Sequence, residues 1–285
     1  MSGNGKSIIN RRRTSSRNWR DMGQHVRIIP RLDIKNNTIV KGIHLEGLRV
    51  VGVPGEASRK YYAQGADEIL YMDAVASLYE RNSLHGIIRE VTQDVFVPLT
   101  VGGGIRSIED IRAILRAGAD KVAINTAAIK RPQLIREAAE TFGSQCIVAS
   151  IEAKKHADGR WEAYIDTARE ATGVDALEWV QQMVALGAGE VLITSIDHEG
   201  VRKGFEIDLV KRVTDSVDVP VIACGGCGSP QHIDDLLRQA DVSAVACASI
   251  FHYDMFTIGQ VKGSLASKGY PVSLRGSTVH ANSHP

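Results

Sequence analysis

From about residue 26 the chain reads as short apolar runs separated by longer stretches of mixed polarity. The runs are RIIPRLDI (27–34), EILYMDAV (68–75), VPLTVGG (97–103), KVAIN (121–125), CIVASIEA (146–153), EVLITSID (190–197), VPVIACGG (219–226) and SAVACAS (243–249). Continuous apolar stretches of this length, bounded by Gly, Pro or polar residues, predict strands buried on both faces. Between them, SIEDIRAILRAGA (107–119) and VDALEWVQQMVALGA (174–188) carry helical spacing. In the second, Leu177, Val180, Val184 and Leu186 form the predicted apolar stripe and Gly187 the stop. Buried strands alternating with helices imply a parallel sheet. Eight such units in about 250 residues fit a (β/α)8 barrel, with a doubly wound open sheet as the alternative.

The pattern repeats at half length. GADE (65–68) returns as GAGE (187–190), Gly102-Gly103 as Gly225-Gly226, RIIPRLDIK (27–35) as CIVASIEAKK (146–155), and Asn125-Thr126 as Ala248-Ser249. The offset is roughly 120 residues each time, so the barrel is expected to be two duplicated half-barrels. A duplicated half-barrel carries duplicated ligand positions, which points to a substrate with two similar ends.

The composition leaves this picture intact and adds a leader. With 34 Lys and Arg against 33 Asp and Glu, the net charge is +1, and 44% of residues are apolar. No apolar run approaches the roughly 18–20 residues that span a bilayer. Residues 1–25 hold Lys6, Arg11, Arg12, Arg13, Arg17 and Arg20 against Asp21 alone, without the apolar block of a secretory signal. This segment is expected to be a disordered extension; a transit peptide and a nucleic-acid arm are the alternatives. Residues 26–275 are expected to form the barrel and 276–285 a flexible tail. No basic stripe or aromatic platform marks the body as a nucleic-acid binder. Four cysteines are too few for a disulfide framework, so a reducing, cytoplasmic location is expected.

Ligand groups in such a barrel sit at the C-terminal strand ends. There VGGGIRS (101–107) and CGGCGSP (224–230) each turn from strand to helix. Glycines let backbone N–H groups close on an anion, and a following helix start favours negative charge. The next strand of each half ends in small residues, Asn125-Thr126 and Ala248-Ser249. Two such pockets predict a bis-phosphate ligand. Asp33 and Glu152 end equivalent strands of the two halves, where facing carboxyls suit general acid and base work. Alternatively each caps a loop or pairs with Lys35, Lys154 or Lys155. The Cys224-Gly-Gly-Cys227 spacing invites a zinc or redox reading. However, Cys146 and Cys247 fall in other strands, His232 falls inside a helix, and the eight-unit pattern is not thioredoxin-like. No metal or cofactor is expected.

The motifs RLDIKNNTIVKGIHLEGLR, GADEILYMD, PLTVGGGIRS, AGADKVAINTAAI, FGSQCIV, EATGVDALEWV, LGAGEVLITSID, PVIACGG and ASIFHY occur in order between about residues 26 and 275. They resemble the cyclase subunit family of imidazole glycerol phosphate synthase. The resemblance implies a lyase of histidine biosynthesis, supplied with ammonia by a glutaminase partner. Its substrate would be a ribulosyl formimino aminoimidazole carboxamide bis-phosphate, and its products imidazole glycerol phosphate and an aminoimidazole carboxamide ribotide. It implies Asp33 and Glu152 as the acid–base pair, Lys41 on a mobile loop after the first strand, and Thr194 near the substrate. Gly103, Gly104, Asn125 and Thr126 match one phosphate site; Gly225, Gly226, Ala248 and Ser249 match the other. Arg27, Glu68, Lys121 and Glu190 match a ring of charges that gates an ammonia path at the N-terminal mouth. Asp120 matches a contact with the glutaminase.

The chain departs from that pattern at four places. Glu152 and Glu199 stand where the family has Asp. Arg31 stands where it usually has a small residue. LRVVGVPGE lacks the acidic residues usual in the first loop. By strand alternation Arg31 shares a face with Arg27 and Asp33, so it is predicted to point into the lumen. Two other functions remain open at this stage. One is a paralogue passing ammonia to another acceptor, such as a sugar precursor of surface polysaccharide. The other is a non-catalytic phosphate-binding subunit.

Overall fold

The computed structural model describes residues 25–74 and 84–275. The expected extension (apart from His25), the tail 276–285 and Val75 at the end of the second apolar run lie outside the described residues. The strand β1 (Arg27–Lys35) runs into a hairpin of β2 (Thr38–Ile43) and β3 (Glu46–Gly52), then helix α1 (Pro54–Ala63). β4 (Ile69–Asp73), α2 (His85–Val91), β5 (Leu99–Gly102), α3 (Ile108–Ala117) and β6 (Lys121–Ile124) follow. Next come α4 (Thr126–Lys130) and α5 (Gln133–Phe142), then β7 (Ile147–Lys155) with its own hairpin of β8 (Trp161–Ile165) and β9 (Glu170–Asp175). The chain ends through α6 (Ala176–Ala185), β10 (Glu190–Ser195), α7 (Ile207–Ser216), β11 (Val221–Cys224), α8 (Pro230–Leu237), β12 (Ala244–Cys247), α9 (Ser249–His252) and α10 (Ile258–Ser267).

The eight strands expected from the apolar runs are β1, β4, β5, β6, β7, β10, β11 and β12. They pair in that order, all parallel, and β12 pairs back onto β1. The sheet is therefore closed, a (β/α)8 barrel rather than an open sheet. Nearly every residue of these strands is buried, because one face meets the helices and the other fills the lumen. The lumen layer is Ile29, Leu70, Ala123, Val148, Leu192, Ile222, Ala244 and Ala246.

Local signals set the helix ends. The Ser107 hydroxyl accepts the Asp110 N–H and the Asp110 carboxylate accepts the Ser107 N–H, a reciprocal cap that starts α3. The predicted stripe packs on the core, with Val180 and Leu186 buried, and the buried face of α6 also takes in residues outside it. Ala176, Trp179, Val180 and Met183 are buried, while Leu177 and Val184 are half-buried. Bulky Trp179 and Met183 dictate the rotation of this helix, and the Leu and Val positions flank them.

The half-repeat extends further than the sequence reading. β1 and β7 each outrun the barrel and turn into an antiparallel hairpin, the first pairing being Asp33 with Val40 and Glu152 with Tyr164. Both carboxylates thus stand where a barrel strand becomes a hairpin strand. The segment expected as a mobile loop carrying Lys41 is the first of these hairpins, with Lys41 buried on β2.

Candidate active site

Two residues per pleat bring Arg27, Ile29, Arg31 and Asp33 onto one face of β1, in a column from the base of the lumen to its mouth. Arg31 does point inward. Its Nε donates to Asp33 Oδ1 at 2.9 Å, and its Nη1 reaches Thr194 Oγ1 on β10 and Cys224 Sγ on β11, both at 3.3 Å. On the other side of Asp33, Lys41 Nζ lies 4.0 Å from Oδ2 and pairs closely with Glu199. All of these side chains are buried. Burial disfavours the Asp33 carboxylate, but Arg31 and Lys41 outweigh it and hold the group below its ordinary range.

Glu152 has a different environment. It accepts the Ala168 N–H at 2.9 Å and the Asn125 amide at 3.4 Å, and among the described residues no cation bonds to it. Lys154 lies over the Tyr164 ring and Lys155 pairs with Glu206, so neither neighbouring lysine neutralises it. Burial pushes the Glu152 carboxyl up to about 7, against the opposing influence of Arg31 and the Ala168 N–H. Asp33 and Glu152 line one small enclosed space of about 30 Å³ with Arg31 and Lys41, roofed by Gly42, Leu45 and Leu48 of the first hairpin. That is room for one or two molecules the size of water.

A larger cavity of about 300 Å³ opens beside it. Gly103, Gly104, Asn125 and Thr126 line it together with Glu152, Arg106, Lys130 and Arg131. Gly103 has φ +90° and packs on β4; a Cβ there would stand 2.4 Å from the Asp73 carbonyl oxygen, so only glycine fits this turn. The structure brings together the four residues read as the first phosphate site, with three cations at the rim. The helix after Asn125 is the short α4, and the Thr126 hydroxyl accepts the Asp166 N–H at 3.2 Å. In the other half, Gly225 and Gly226 end β11, and Ala248 and Ser249 follow β12 on the barrel's opposite side; all four are buried. Gly226 has φ +101°, and its carbonyl accepts the Gly204 N–H at 2.9 Å, so the β10–α7 loop packs on this turn. Thr194 is buried at the end of β10 and receives the Arg31 contact. Cys224 and Cys227 are free, buried side chains within this turn. Among the described residues no three His, Cys, Asp or Glu side chains are grouped to hold a metal.

At the opposite end of the lumen, the four charged residues close into a ring. Glu68 joins Arg27 at 2.6 Å and Lys121 at 2.8 Å; Glu190 joins Lys121 at 2.6 Å and pairs with Arg27. Thr100 Oγ1 donates a further bond to Glu68 at 2.6 Å. Each carboxylate bridges both cations, the arrangement in which burying charge costs least. Asp120, exposed in the loop before β6, accepts the Leu99 N–H at 2.8 Å and so anchors the start of β5.

Sequence reasoning missed the turn that holds Glu152. Asp166, Thr167 and Ala168 all have positive φ, between 53° and 60°, and this turn aims the Ala168 N–H at the carboxylate. It contains no glycine, so nothing in the sequence marks it. Glu199 was visible only as a departure from a family pattern; its pairing with Lys41 places it at the lid of the site.

Comparison with known proteins agrees with this geometry. A profile described as "Histidine biosynthesis protein" matches residues 27–257, nearly the whole barrel. The protein named "Imidazole glycerol phosphate synthase subunit HisF" from Legionella pneumophila is 59% identical over 204 residues, covering 72% of this chain and 96% of that protein. With matches of this extent over the strands that carry both carboxylates and both glycine turns, the chain belongs to the histidine biosynthesis protein family.

Proposed function

We infer that this chain is the cyclase subunit of imidazole glycerol phosphate synthase. In this reading it takes ammonia from a glutaminase partner. It converts the ribulosyl formimino aminoimidazole carboxamide bis-phosphate into imidazole glycerol phosphate and aminoimidazole carboxamide ribotide, in the cytoplasm. The observation that carries the reading is a pair of buried carboxyls in unlike surroundings, Asp33 beside two cations and Glu152 bonded to neutral donors, at the barrel end that carries the two related glycine turns. Two phosphates anchored at Gly103–Thr126 and Gly225–Ser249 would stretch the substrate across the lumen. Ammonia adding to a ketone needs a proton delivered to the carbonyl oxygen and another removed from nitrogen. Glu152 carries a proton up to about pH 7, and Asp33 is an anion ready to accept one. Ammonia reaching them from the base would pass the ring of Arg27, Glu68, Lys121 and Glu190, with the glutaminase docked near Asp120.

The test is turnover of the bis-phosphate by the purified full-length chain in ammonium salts, without a partner. Formation of imidazole glycerol phosphate is expected, with the rate at constant free ammonia falling as pH rises through about 7 and Glu152 loses its proton. Absence of product at high ammonia would reject the reading. One observation favours a second reading, a paralogue that delivers ammonia to another acceptor: the Arg31 guanidinium fills the lumen beside Asp33. The same assay separates the two, since the paralogue leaves the bis-phosphate untouched.

A further inference from the structure

Arg31 is a charged side chain at the centre of the site that belongs to neither the phosphate turns, the basal ring nor the acid–base pair itself. It is 3% exposed, and a guanidinium so deeply buried costs several kcal/mol unless it is paired. Its single short ion pair is with Asp33; the contacts to Thr194 and Cys224 are long. These contacts span the lumen from β1 to β10 and β11, which fixes the guanidinium and the Asp33 carboxylate together. The two half-barrels place Asp33 and Glu152 at equivalent strand-to-hairpin junctions, so the fold alone would leave the two acids nearly alike. Arg31, on one half only, bonds to one acid and not to the other: Asp33 lies between Arg31 and Lys41, whereas Glu152 feels Arg31 only through space and its hydrogen-bond donors are neutral.

We propose that Arg31 is a positioning residue of the acid–base pair. Acting through Asp33, it keeps that carboxyl an anion fixed to the β1 side of the lumen and leaves Glu152 as the proton-carrying member. The proposal rests on the cyclase reading and deepens it. Of the other groups facing Asp33, Lys41 acts in the same direction but from 4.0 Å. Lys41, on the hairpin, is shared with Glu199 of the β10–α7 loop. His252 on α9 donates from Nε2 to the Arg31 carbonyl oxygen and accepts the Tyr61 hydroxyl at Nδ1, and burial lowers it to about 4, so it is neutral at working pH. Glu152 on β7 and Asp73 on β4 are acids, and burial raises the Cys224 thiol on β11, which keeps it neutral. An arginine that merely filled space would be replaceable by an unbranched apolar side chain of similar length.

The experiment uses the full-length chain with Arg31→Met, Arg31→Gln and Arg31→Lys. Carboxyl carbon-13 titration is followed for Asp33 and Glu152, assigned with Asp33→Asn and Glu152→Gln controls. In the unsubstituted chain Asp33 is expected to stay ionised to the lowest pH at which the fold persists. In Arg31→Met both midpoints shift upward, that of Asp33 by more because it loses a direct bond as well as a nearby charge, so the two limbs of the pH profile at fixed free ammonia draw together. Arg31→Lys restores the low Asp33 midpoint and part of the turnover. If Arg31→Met does not fold, Arg31→Gln, which keeps hydrogen-bond donors without charge, gives the same reading. A folded Met or Gln variant in which neither the Asp33 midpoint nor the profile moves overturns the proposal. The titration needs no turnover, so it decides the role of Arg31 even if the bis-phosphate proves not to be the substrate.

Discussion

Glu152 shows how a single residue ties stability to chemistry. A buried carboxyl whose folded pKa is raised from 4.5 to about 7 binds more protons in the native state than in the unfolded chain within that window. Stability contributed this way is fully present below the lower value and is lost as pH rises through about 7. Glu152→Gln removes the dependence. The variant is therefore expected to gain on the order of 2–3 kcal/mol more at pH 8 than at pH 5, relative to the unsubstituted chain. Urea denaturation at the two pH values measures this, and an equal change at both would show that Glu152 is not held protonated by the fold. At this scale much was legible in the sequence. The half-repeat pointed to Asp33 and Glu152, and strand alternation pointed Arg31 inward. Which acid is which was not legible. That depends on how completely Glu152 is desolvated, and on Arg31 bonding to Asp33 with Lys41 arriving behind it from β2.

The elements divide in the same way. The eight barrel strands announced themselves because both faces are buried and their sequences are continuously apolar. The hairpins did not. β3 is largely exposed and carries no alternation, and the β2–β3 turn is made by His44 and Leu45 at positive φ rather than by a glycine pair. The β8 strand offered a signal that went unused, since Trp161, Ala163 and Ile165 are buried at every second position. The first hairpin is latched to the barrel at few points: Lys41 pairs with Glu199, the His44 N–H donates to the Glu199 carbonyl at 2.8 Å, and the His44 ring meets the Ile196 carbonyl at 2.8 Å. Glu199→Gln leaves the buried Lys41 ammonium with only Asp33 at 4.0 Å. Breaking a buried pair from one side is costly, about 3–5 kcal/mol, and here the hairpin can relieve the cost by lifting. Faster amide exchange over residues 38–52 is expected, with the barrel strands unchanged and KM for the bis-phosphate raised. Unchanged exchange in the hairpin would mean that the backbone contacts alone hold the lid.

Over the whole molecule, charge is concentrated at the two ends of one apolar lumen: a closed ring at the base and the carboxyl pair at the mouth. The apolar side chains filling the lumen are Ile29, Leu70, Ala123, Val148, Leu192, Ile222, Cys224, Ala244 and Ala246, and Arg31 enters among them level with Leu70. A ring that serves only to brace the barrel and a ring that admits ammonia have the same geometry, so perturbation has to separate them. Lys121→Met leaves Glu68 and Glu190 facing each other with Arg27 as their one common cation. The loss in stability is expected to be on the order of 3 kcal/mol. Adding Glu190→Gln removes the surplus acid and should recover much of it, because residues in one network couple strongly. Both results hold under either role. The discriminating quantity is the ratio of glutamine-supported to ammonium-supported turnover, measured with the glutaminase bound. Added ammonium can reach Glu152 through the larger cavity, whereas under the gate reading ammonia from the partner would enter at the base. A gate predicts that the double variant, with its stability largely restored, still changes that ratio. A brace predicts that the ratio returns to that of the unsubstituted chain along with the melting temperature.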